Sequence, residues 1–366
     1  MTLVRTDRYA PDCRVEIDNQ PVDFLCKEVD LYVTSLKITE TINQADSFAF
    51  TLAAHSRELA SFPSERQLAC LDDERFSEGH RVTIEMGYVG NLSLKFWGHI
   101  TAANATFPEK GVPTLTVRGF SLYQQLQRMY RRKPFSAATD SGIAREIATE
   151  MKLKPDVDDT SVKHPIVSAN AESYADILQK RANRINYDFT VKEDRLIFKK
   201  PTYLVDATPQ LHLTWGEDLL RLQPHLSTYH MPTEVEVLSV QSGFCGDKVA
   251  IRGLCTAQEL QPKLGKKSGL QQAKALGETH LLLEDALVTS AEEAKLVAQA
   301  YCRKRMLEFI TAQGSSIGRP ELRARLVVAL QGIGERFSGN YYVTSTTHTI
   351  DLNGYRTDFE AKRDGR

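Results

Sequence analysis

Several short segments carry residue types that could do chemistry, and the first is a possible nucleophile turn. Gly314-Ser315-Ser316-Ile317-Gly318 fits the G-x-S-x-G pattern, which in hydrolases holds a serine on a sharp turn between a strand and a helix. Here a predicted helix comes before the segment, and Arg319-Pro320 with a predicted strand comes after it. Because this order is the reverse of the hydrolase context, we interpret Ser316 as part of a flexible interdomain turn.

The histidines lack the spacing of a metal site. His225 and His230 are five residues apart and His212 lies upstream, but no i,i+4 pair, cysteine partner or H-E-x-x-H motif accompanies them. His348 lies among alternating threonines in a predicted strand. We interpret the first three as surface or hydrogen-bonded histidines. For His348, a structural role is favoured over a metal or catalytic role.

Neither a phosphate loop nor a catalytic carboxylate pair is supported. Gly265-Lys266-Lys267-Ser268 resembles the end of a P-loop, but Leu260 stands where the leading glycine belongs. The pairs Asp72-Asp73 and Asp158-Asp159 fall in polar, loop-like stretches and are interpreted as solvated. The sequence therefore predicts no catalytic residue, no cofactor and no metal.

Composition points to a folded protein of several modules. The 366 residues exceed what one hydrophobic core usually serves, and 42% hydrophobic with 25% charged residues is typical of a globular chain. The 46 basic and 47 acidic residues give no overall field that would attract nucleic acid or anionic lipid. No signal peptide or bilayer-spanning run is evident, so we expect synthesis in the cytoplasm. The six cysteines form no C-x-x-C pair and are expected to be reduced, mostly buried thiols.

The first third of the chain has the alternation of antiparallel strands. Residues 31–52 predict a hairpin around the turn Asn43-Gln44-Ala45-Asp46. Further period-2 stretches at 82–88, 92–96 and 115–117 are separated by glycines. These patterns predict an antiparallel barrel or sandwich.

Helical spacing then alternates with strands. Thr139-Asp140-Ser141 caps a predicted helix, a second begins at Ser173, and a hairpin with the turn Lys192-Glu193-Asp194-Arg195 follows. Strands are predicted at 211–215, 235–240 and 322–330, with a strand, a Gly/Lys-rich connector and a helix between them. Ser290 and Glu293 mark that helix's start as a capping box. A final hairpin turns at Asp351-Leu352-Asn353-Gly354.

The closing region carries a family resemblance. Its signature resembles that of the phage late control gene D family, whose members are tail hubs, in Gly334-Glu335-Arg336-Phe337-Ser338-Gly339-Asn340-Tyr341-Tyr342-Val343-Thr344, His348 and Gly354-Tyr355-Arg356-Thr357. Supporting segments match in the same order, at Phe96-Trp97-Gly98-His99-Ile100, Val117-Arg118-Gly119-Phe120 and residues 173–198. The resemblance covers nearly the whole chain.

The resemblance and the strand patterns together define an expected fold. This is a β-rich α+β protein with two antiparallel, tail-tube-like β-barrel domains and two small α+β modules. The first barrel is expected at 1–133 and a small α+β domain at 134–205. The second barrel is expected to be discontinuous, at 206–241 and 313–366, with an inserted α+β module at 242–312.

The resemblance also implies the function and the partners. It implies a baseplate hub of a contractile injection system or phage tail, a homotrimer that adapts a hexameric inner tube to a trimeric central spike. Larger relatives continue into an oligonucleotide-fold domain and a β-helical needle, so we expect the spike to be a separate protein. The chain would be a structural component of a virion or similar particle, with no enzymatic activity, no reading of nucleic-acid sequence and no membrane insertion.

Candidate interface residues follow from this role. Large obligate interfaces are rich in aromatic side chains, so strand edges at Phe96, Trp97, Tyr341 and Tyr342 are candidates. The basic run that includes Arg131 and Arg132 could face an acidic neighbour or the channel, although a solvated helix end is the commoner explanation.

Two other functions stay open on the sequence alone. One is a cell-wall hydrolase at the tail tip, which would need two carboxylates about 5 to 9.5 Å apart in a cleft. The other is a spike-associated protein that carries effector cargo. The sequence does not distinguish a phage, a bacteriocin or an extracellular injection system.

Overall fold

A large, mostly antiparallel β-sheet dominates the chain, because long period-2 runs recur at both of its ends. The computed structural model describes residues 10–22, 30–55, 71, 73–131, 133–168, 172–229, 231–242 and 248–366. The strands there are β1 (Pro11–Ile17), β2 (Gln20–Pro21), β3 (Asp30–Thr41), β4 (Ser47–His55), β5 (Arg81–Tyr88), β6 (Asn91–Thr106), β7 (Thr114–Phe120), β8 (Phe135–Thr139), β9 (Lys154–Val157), β10 (Lys163–Val167), β11 (Asp188–Lys192), β12 (Arg195–Lys199), β13 (Leu211–Thr214), β14 (Leu219–Leu226), β15 (Glu234–Ser242), β16 (Lys248–Thr256), β17 (His280–Glu284), β18 (Ile310–Ile317), β19 (Val327–Gln331), β20 (Gly339–Asp351) and β21 (Gly354–Arg363).

The helices lie mainly in the middle of the chain. They are α1 (Tyr123–Arg128), α2 (Asp140–Glu150), α3 (Tyr174–Ile185), α4 (Thr202–Val205), α5 (Gly269–Ala273) and α6 (Ala291–Leu307), with short 3-10 turns at Glu74–Phe76 and Lys274–Leu276. Their starts follow capping chemistry. Thr139 accepts a hydrogen bond from the Gly142 N–H, and Ser173 forms a capping box with Asp176.

The two ends of the chain meet in one sheet of thirteen strands. Its order is β14-β18-β21-β20-β3-β4-β7-β6-β5-β1-β2, with β19 beside β20 and β13 beside β19. The pairing of β20 with β3 joins the strands of the first third to those of the last third. Among the described residues no pairing closes either half on itself, so the prediction of two barrels is not confirmed while that of a β-rich antiparallel fold is.

The predicted hairpins are confirmed. β3 pairs with β4 across the 43–46 turn, and β20 pairs with β21 across a two-residue loop at Leu352-Asn353. In β5 the side chains of Val82, Ile84 and Met86 are fully buried, as strict alternation predicts for a strand with one face on a core.

The elements from β8 to β12, called the 134–205 unit below, pack around a separate core that also includes Tyr123 and Leu126 of α1. β8 pairs with β10, and β9, β12 and β11 form a second small sheet against α2 and α3. The predicted hairpin around 192–195 is present as β11 and β12. This unit is tied to the large sheet where the Asn43 Oδ1 accepts from the Phe189 N–H at 2.8 Å.

The inserted module has a three-stranded sheet where the sequence predicted a single strand. The strand expected at 235–240 is β15, and it pairs with β16 and β17 rather than with strands of the large sheet. β15 and β16 pack on α6, and the core of this module is continuous with that of the last third of the chain. The strand pattern was correct, but the partner assigned to it was wrong.

The strand expected at 322–330 is shorter than its alternation indicated. β19 begins at Val327, and Arg325 takes a left-handed conformation with φ of 76°. A left-handed residue cannot continue an extended ladder, so the preceding residues form turns instead. Leu322 is nevertheless fully buried.

Close packing of α6 on β16 gives a test of this arrangement. A Cβ built on Gly253 would lie 2.2 Å from the Ala294 carbonyl carbon, which is backbone and cannot rotate away. We expect Gly253→Ala to lower the free energy of unfolding by about 1–3 kcal/mol in urea denaturation, because the helix must move off the sheet. The neighbouring Arg252→Ala, on an exposed side chain, should cost less than about 1 kcal/mol. Equal effects of the two variants would contradict this packing.

Candidate functional site

Three of the four predicted interface aromatics bury their side chains inside this chain. Tyr341 and Tyr342 have no exposed surface and Phe96 is 5% exposed, packed against the Phe48 ring. Their aromatic side chains are therefore part of the core of this chain, and any contact of these residues with a partner stays a prediction. Trp97 is half-buried, with the Arg81 guanidinium 4.1 Å from its ring centre. Its contact with a partner stays a prediction.

Tyr342 instead links two parts of the fold. Its hydroxyl donates to the Asp188 carboxylate of β11, and the Arg325 Nε lies 3.1 Å from the same oxygen. Burial raises the pKa of Tyr342 well above its usual value, and the negative charge of Asp188 adds to that effect. A tyrosine in the last third of the chain thus holds the 134–205 unit against the large sheet.

The two arginines of the basic run, Arg131 and Arg132, have to be considered separately. Arg131 lies over the Phe135 ring and pairs with Glu146 at 2.6 Å and with Glu150 at 2.8 Å. Its charge is therefore neutralised within the chain rather than left for an acidic neighbour. Arg132 lies outside the described residues, and its partner role stays a prediction.

The junction of β20 with β3 encloses a carboxylate. Glu40 is 1% exposed and is bound by the Arg323 guanidinium and, at 3.3 Å, by the Lys192 ammonium. Burial alone would raise the pKa of Glu40, but these two cations hold it far below its usual range. Hydroxyl pairs on either side, Thr39 with Thr347 at 3.2 Å and Thr41 with Ser345 at 2.9 Å, complete the seam.

A second carboxylate near this seam behaves oppositely. Asp46 is buried at the end of the β3–β4 turn, where it accepts from the Thr41 N–H at 3.1 Å. Burial, and then the charge of Glu40, raise the pKa of Asp46 to about 8. Lys192 and Arg323 also act on Asp46, but they do not outweigh its burial and the charge of Glu40.

His348 lies fully buried on β20 in a closed set of hydrogen bonds. Its Nε2 is 2.9 Å from the Leu322 carbonyl oxygen, which can only accept, so Nε2 carries the proton. Its Nδ1 then accepts, from the Tyr355 hydroxyl at 2.9 Å and the Thr357 hydroxyl at 3.2 Å. Burial lowers the pKa of His348 to about 4. The geometry is that of a structural histidine.

The G-x-S-x-G segment is a strand, not the flexible turn predicted for it. Ser316 lies in β18 with no exposed surface, and its hydroxyl donates to the Ile317 carbonyl at 2.9 Å. The two glycines make room for aromatic rings, since a Cβ on Gly314 would meet Phe359 and one on Gly318 would meet Tyr355. A buried serine that already donates to the backbone is not poised as a nucleophile.

The remaining candidate groups lie apart. His212 and His225 are exposed on β13 and β14, while His230 and Asp72 lie outside the described residues. In the described part of the chain no three His, Cys, Asp or Glu side chains are grouped as a metal would require. Across the same residues, none of the helices has the length and hydrophobicity needed to cross a bilayer.

The cysteines and the Gly/Lys-rich connector have structural surroundings. Cys255 and Cys302 are buried free thiols and Cys13 is a half-buried one, while Cys26, Cys70 and Cys245 lie outside the described residues. The Lys266 and Lys267 N–H groups both donate to the Arg366 carbonyl at 2.9 Å. The segment that resembled a P-loop therefore pairs with another part of this chain.

A buried ionic cluster, which the sequence did not predict, connects the two small modules. Arg181 of α3 pairs with Asp140 of α2, and His164 of β10 lies 3.3 Å from Asp140 and 3.4 Å from Glu293 of α6. Arg184 of α3 reaches Glu293 at 2.8 Å. Burial would raise the pKa of Glu293, but the Thr289 N–H and the Arg184 guanidinium outweigh it and lower that pKa.

An open cleft of about 830 Å³ lies beside this cluster. It is bounded by α3, α6, β10 and residues 285–289. Most of its lining surface is apolar, although charged side chains contribute to it. Its charged lining residues are Glu172, Lys180, Arg181, Arg184, Asp285, Lys304, Arg305 and Glu308. None of the interface residues predicted from the sequence lines it.

The buried His348 predicts a pH dependence of stability. The unfolded chain binds a proton on this side chain near pH 6.5 and the folded chain only near pH 4. Stability from His348 is thus complete above pH 6.5 and is lost as pH falls to about 4, by roughly 3 kcal/mol. Gln cannot titrate but can still donate to Leu322. We expect urea denaturation to show His348→Gln losing less stability than the parent chain over this range. Parallel losses would contradict the assignment.

The ionic cluster predicts non-additive stability effects. Arg181→Met removes the guanidinium that pairs with the buried Asp140, which leaves only His164 beside this carboxylate, and should lower the free energy of unfolding by about 3–5 kcal/mol. Adding Asp140→Asn removes the stranded charge, so the double variant should recover much of that loss. Chemical denaturation of the single and double variants gives the coupling directly. Simple addition of the two losses would show that the pair is not coupled.

Solved structures with the same fold come from phage tails and a secretion system. The 43 kDa tail protein of prophage MuSo2 from Shewanella oneidensis is 14% identical, with a TM-score of 0.69 over 97% of this chain and 99% of that one. The tail protein from Neisseria meningitidis MC58 is 14% identical, with a TM-score of 0.67 over 97% of both chains. The E. coli c3393 protein, described as a type VI secretion component, is 10% identical, with a TM-score of 0.57 over 95% of this chain and 76% of that one.

The sequence of this chain also matches a known protein family. No curated protein matches the chain. The family described as the Alg8 N-terminal domain matches residues 26–351, most of the sequence. The resemblance to the late control gene D family is a separate observation and stays a prediction. On the family match, the chain belongs to the Alg8 N-terminal domain family.

Proposed function

We propose that this chain is a structural hub subunit of a phage tail or related contractile injection apparatus. The observation that carries the proposal is the likeness of the whole chain to a prophage tail protein, over 97% of one and 99% of the other. The resemblance of residues 334–344 and 354–357 to the late control gene D signature supports the same role. The candidate nucleophile Ser316 and the candidate His348 are both occupied in structural hydrogen bonds.

We infer further that the working form is a homotrimer that adapts a hexameric inner tube to a trimeric spike. Each chain carries two groups of strands, β1–β7 and β13–β14 with β18–β21, joined through the β20–β3 pairing. A threefold particle can match a sixfold ring if each subunit offers two comparable contact surfaces, and three chains would then offer six. In this proposal the spike is a separate protein, and other baseplate components contact the small modules.

Assembly gives the test of this function. Light scattering of the purified chain should give about three times the 41.1 kDa of one subunit, and electron microscopy with the inner tube protein should show sixfold rings on one face of a threefold particle. A chain that stays monomeric even with the tube protein, or that binds no tube ring, would overturn the proposal. Cell-wall lysis by the purified chain would favour the hydrolase alternative instead.

A further inference from the structure

The cleft between the small modules has the dimensions of a binding site. Its volume of about 830 Å³ falls within the range of roughly 300–1,000 Å³ that is typical of ligand sites. Buried Ile177 of α3 and half-buried Val297 and Tyr301 of α6 contribute apolar side chains to its lining. Arg181 and Arg184 also line the cleft, and both of their charges are paired within the chain. The cleft is therefore a largely apolar groove that also contains arginine side chains with paired charges.

One side of the cleft follows the edge of a strand. Four consecutive residues of β10, from His164 to Val167, line it, as does Ser168 just after the strand. Successive side chains of a strand point to opposite faces, so a cavity that meets every residue must run along the edge. In the described part of the chain β10 pairs only with β8, which leaves its other edge free. Pro165, which lacks an N–H, is typical of an edge strand.

Two large aliphatic side chains stand exposed at the walls of the cleft. Ile166 of β10 is 66% exposed, and Leu287, between β17 and α6, is 64% exposed. Both line the same space although they come from different modules. Exposed apolar side chains grouped around a groove are a feature of binding surfaces, because covering them removes apolar area from water.

The carboxylates of the cleft are already neutralised within the chain. Asp285 pairs with Arg184, and Glu172 pairs with Lys180 at 2.8 Å. The third, Glu308, is bound by Arg305 at 3.1 Å and by Lys362 at 3.7 Å. The cleft therefore offers little free negative charge to an occupant.

A cation of the cleft is not neutralised in this way. The Lys304 Nζ donates to the neutral Asn183 Oδ1 at 3.0 Å, and no carboxylate of the described residues lies within ion-pair distance of it. Burial and then the charges of Lys362 and Arg305 lower the pKa of Lys304, with only Glu308 acting against them. Three cations thus surround one carboxylate at this wall, and the local potential favours an anionic occupant.

We propose that the cleft binds an extended peptide segment of a partner protein, which adds to the free edge of β10 as a further strand. Its apolar side chains cover Ile166 and Leu287, and an acidic side chain pairs with Lys304. Backbone hydrogen bonds to a strand edge give such binding its affinity, and the alternate side chains give it specificity. The inference does not depend on the hub function.

The test uses the full chain and synthetic peptides. The probe is a fluorescein-labelled octapeptide of alternating valine and glutamate. The control peptide has lysine in place of each glutamate. In fluorescence anisotropy we expect the glutamate peptide to bind at least about tenfold more tightly than the lysine peptide. Lys304→Glu should reverse the preference, and Leu287→Asp should abolish binding of both peptides.

Matched controls distinguish binding at the β10 edge from nonspecific hydrophobic binding. Leu276→Asp alters a side chain that is 78% exposed and does not line the cleft, so it should leave binding unchanged. A glutamate peptide N-methylated at alternate backbone positions should lose binding, because it cannot donate to β10. Thermal unfolding confirms that each variant is folded. The proposal fails if no saturable binding occurs up to about 1 mM, if Lys304→Glu leaves the preference intact, or if N-methylation has no effect.

Discussion

The antiparallel pairing of β20 with β3 is the contact on which the rest of the structure depends. It joins residues about 300 positions apart, from Ser345 opposite Thr41 to Asp351 opposite Ser35. Without it, each half of the large sheet would expose a long edge, which natural proteins avoid. The pairing also buries Glu40, which can remain charged there only because Arg323 and Lys192 reach it from different parts of the chain. The seam therefore fixes where the sheet halves and the 134–205 unit meet.

Local sequence patterns predicted the individual strands, turns and helices well. They predicted less well which of these elements pack together. The Asn353-Gly354 hairpin and the helix after Ser290 were predicted correctly, because turn and cap chemistry acts within a few residues. The partner of β15 was assigned wrongly, because alternation identifies a strand but not the sheet that contains it. Gly314 and Gly318 were interpreted as a turn, since the sequence does not distinguish a glycine that bends the chain from one that accommodates a neighbouring ring.

The functional surfaces were harder to predict than the fold. An aromatic pair in a strand has the same pattern whether it faces a partner or a core, and the partner that buries the Tyr342 hydroxyl, Asp188, lies 154 residues away. The cluster of His164, Asp140, Arg181 and Glu293 draws its members from four separate elements. Each of these residues is unremarkable in its own segment, and only tertiary packing brings them together.

The inserted module meets the last third of the chain and the 134–205 unit through two different kinds of contact. This difference explains where the cleft lies. The inserted module shares one apolar core with the last third of the chain, so little space remains between them. The 134–205 unit has a separate core and meets the inserted module through ion pairs. Buried charged groups need hydrogen-bond partners or solvent around them. A groove therefore opens at this polar junction, where a bound segment would leave the seam of the large sheet undisturbed.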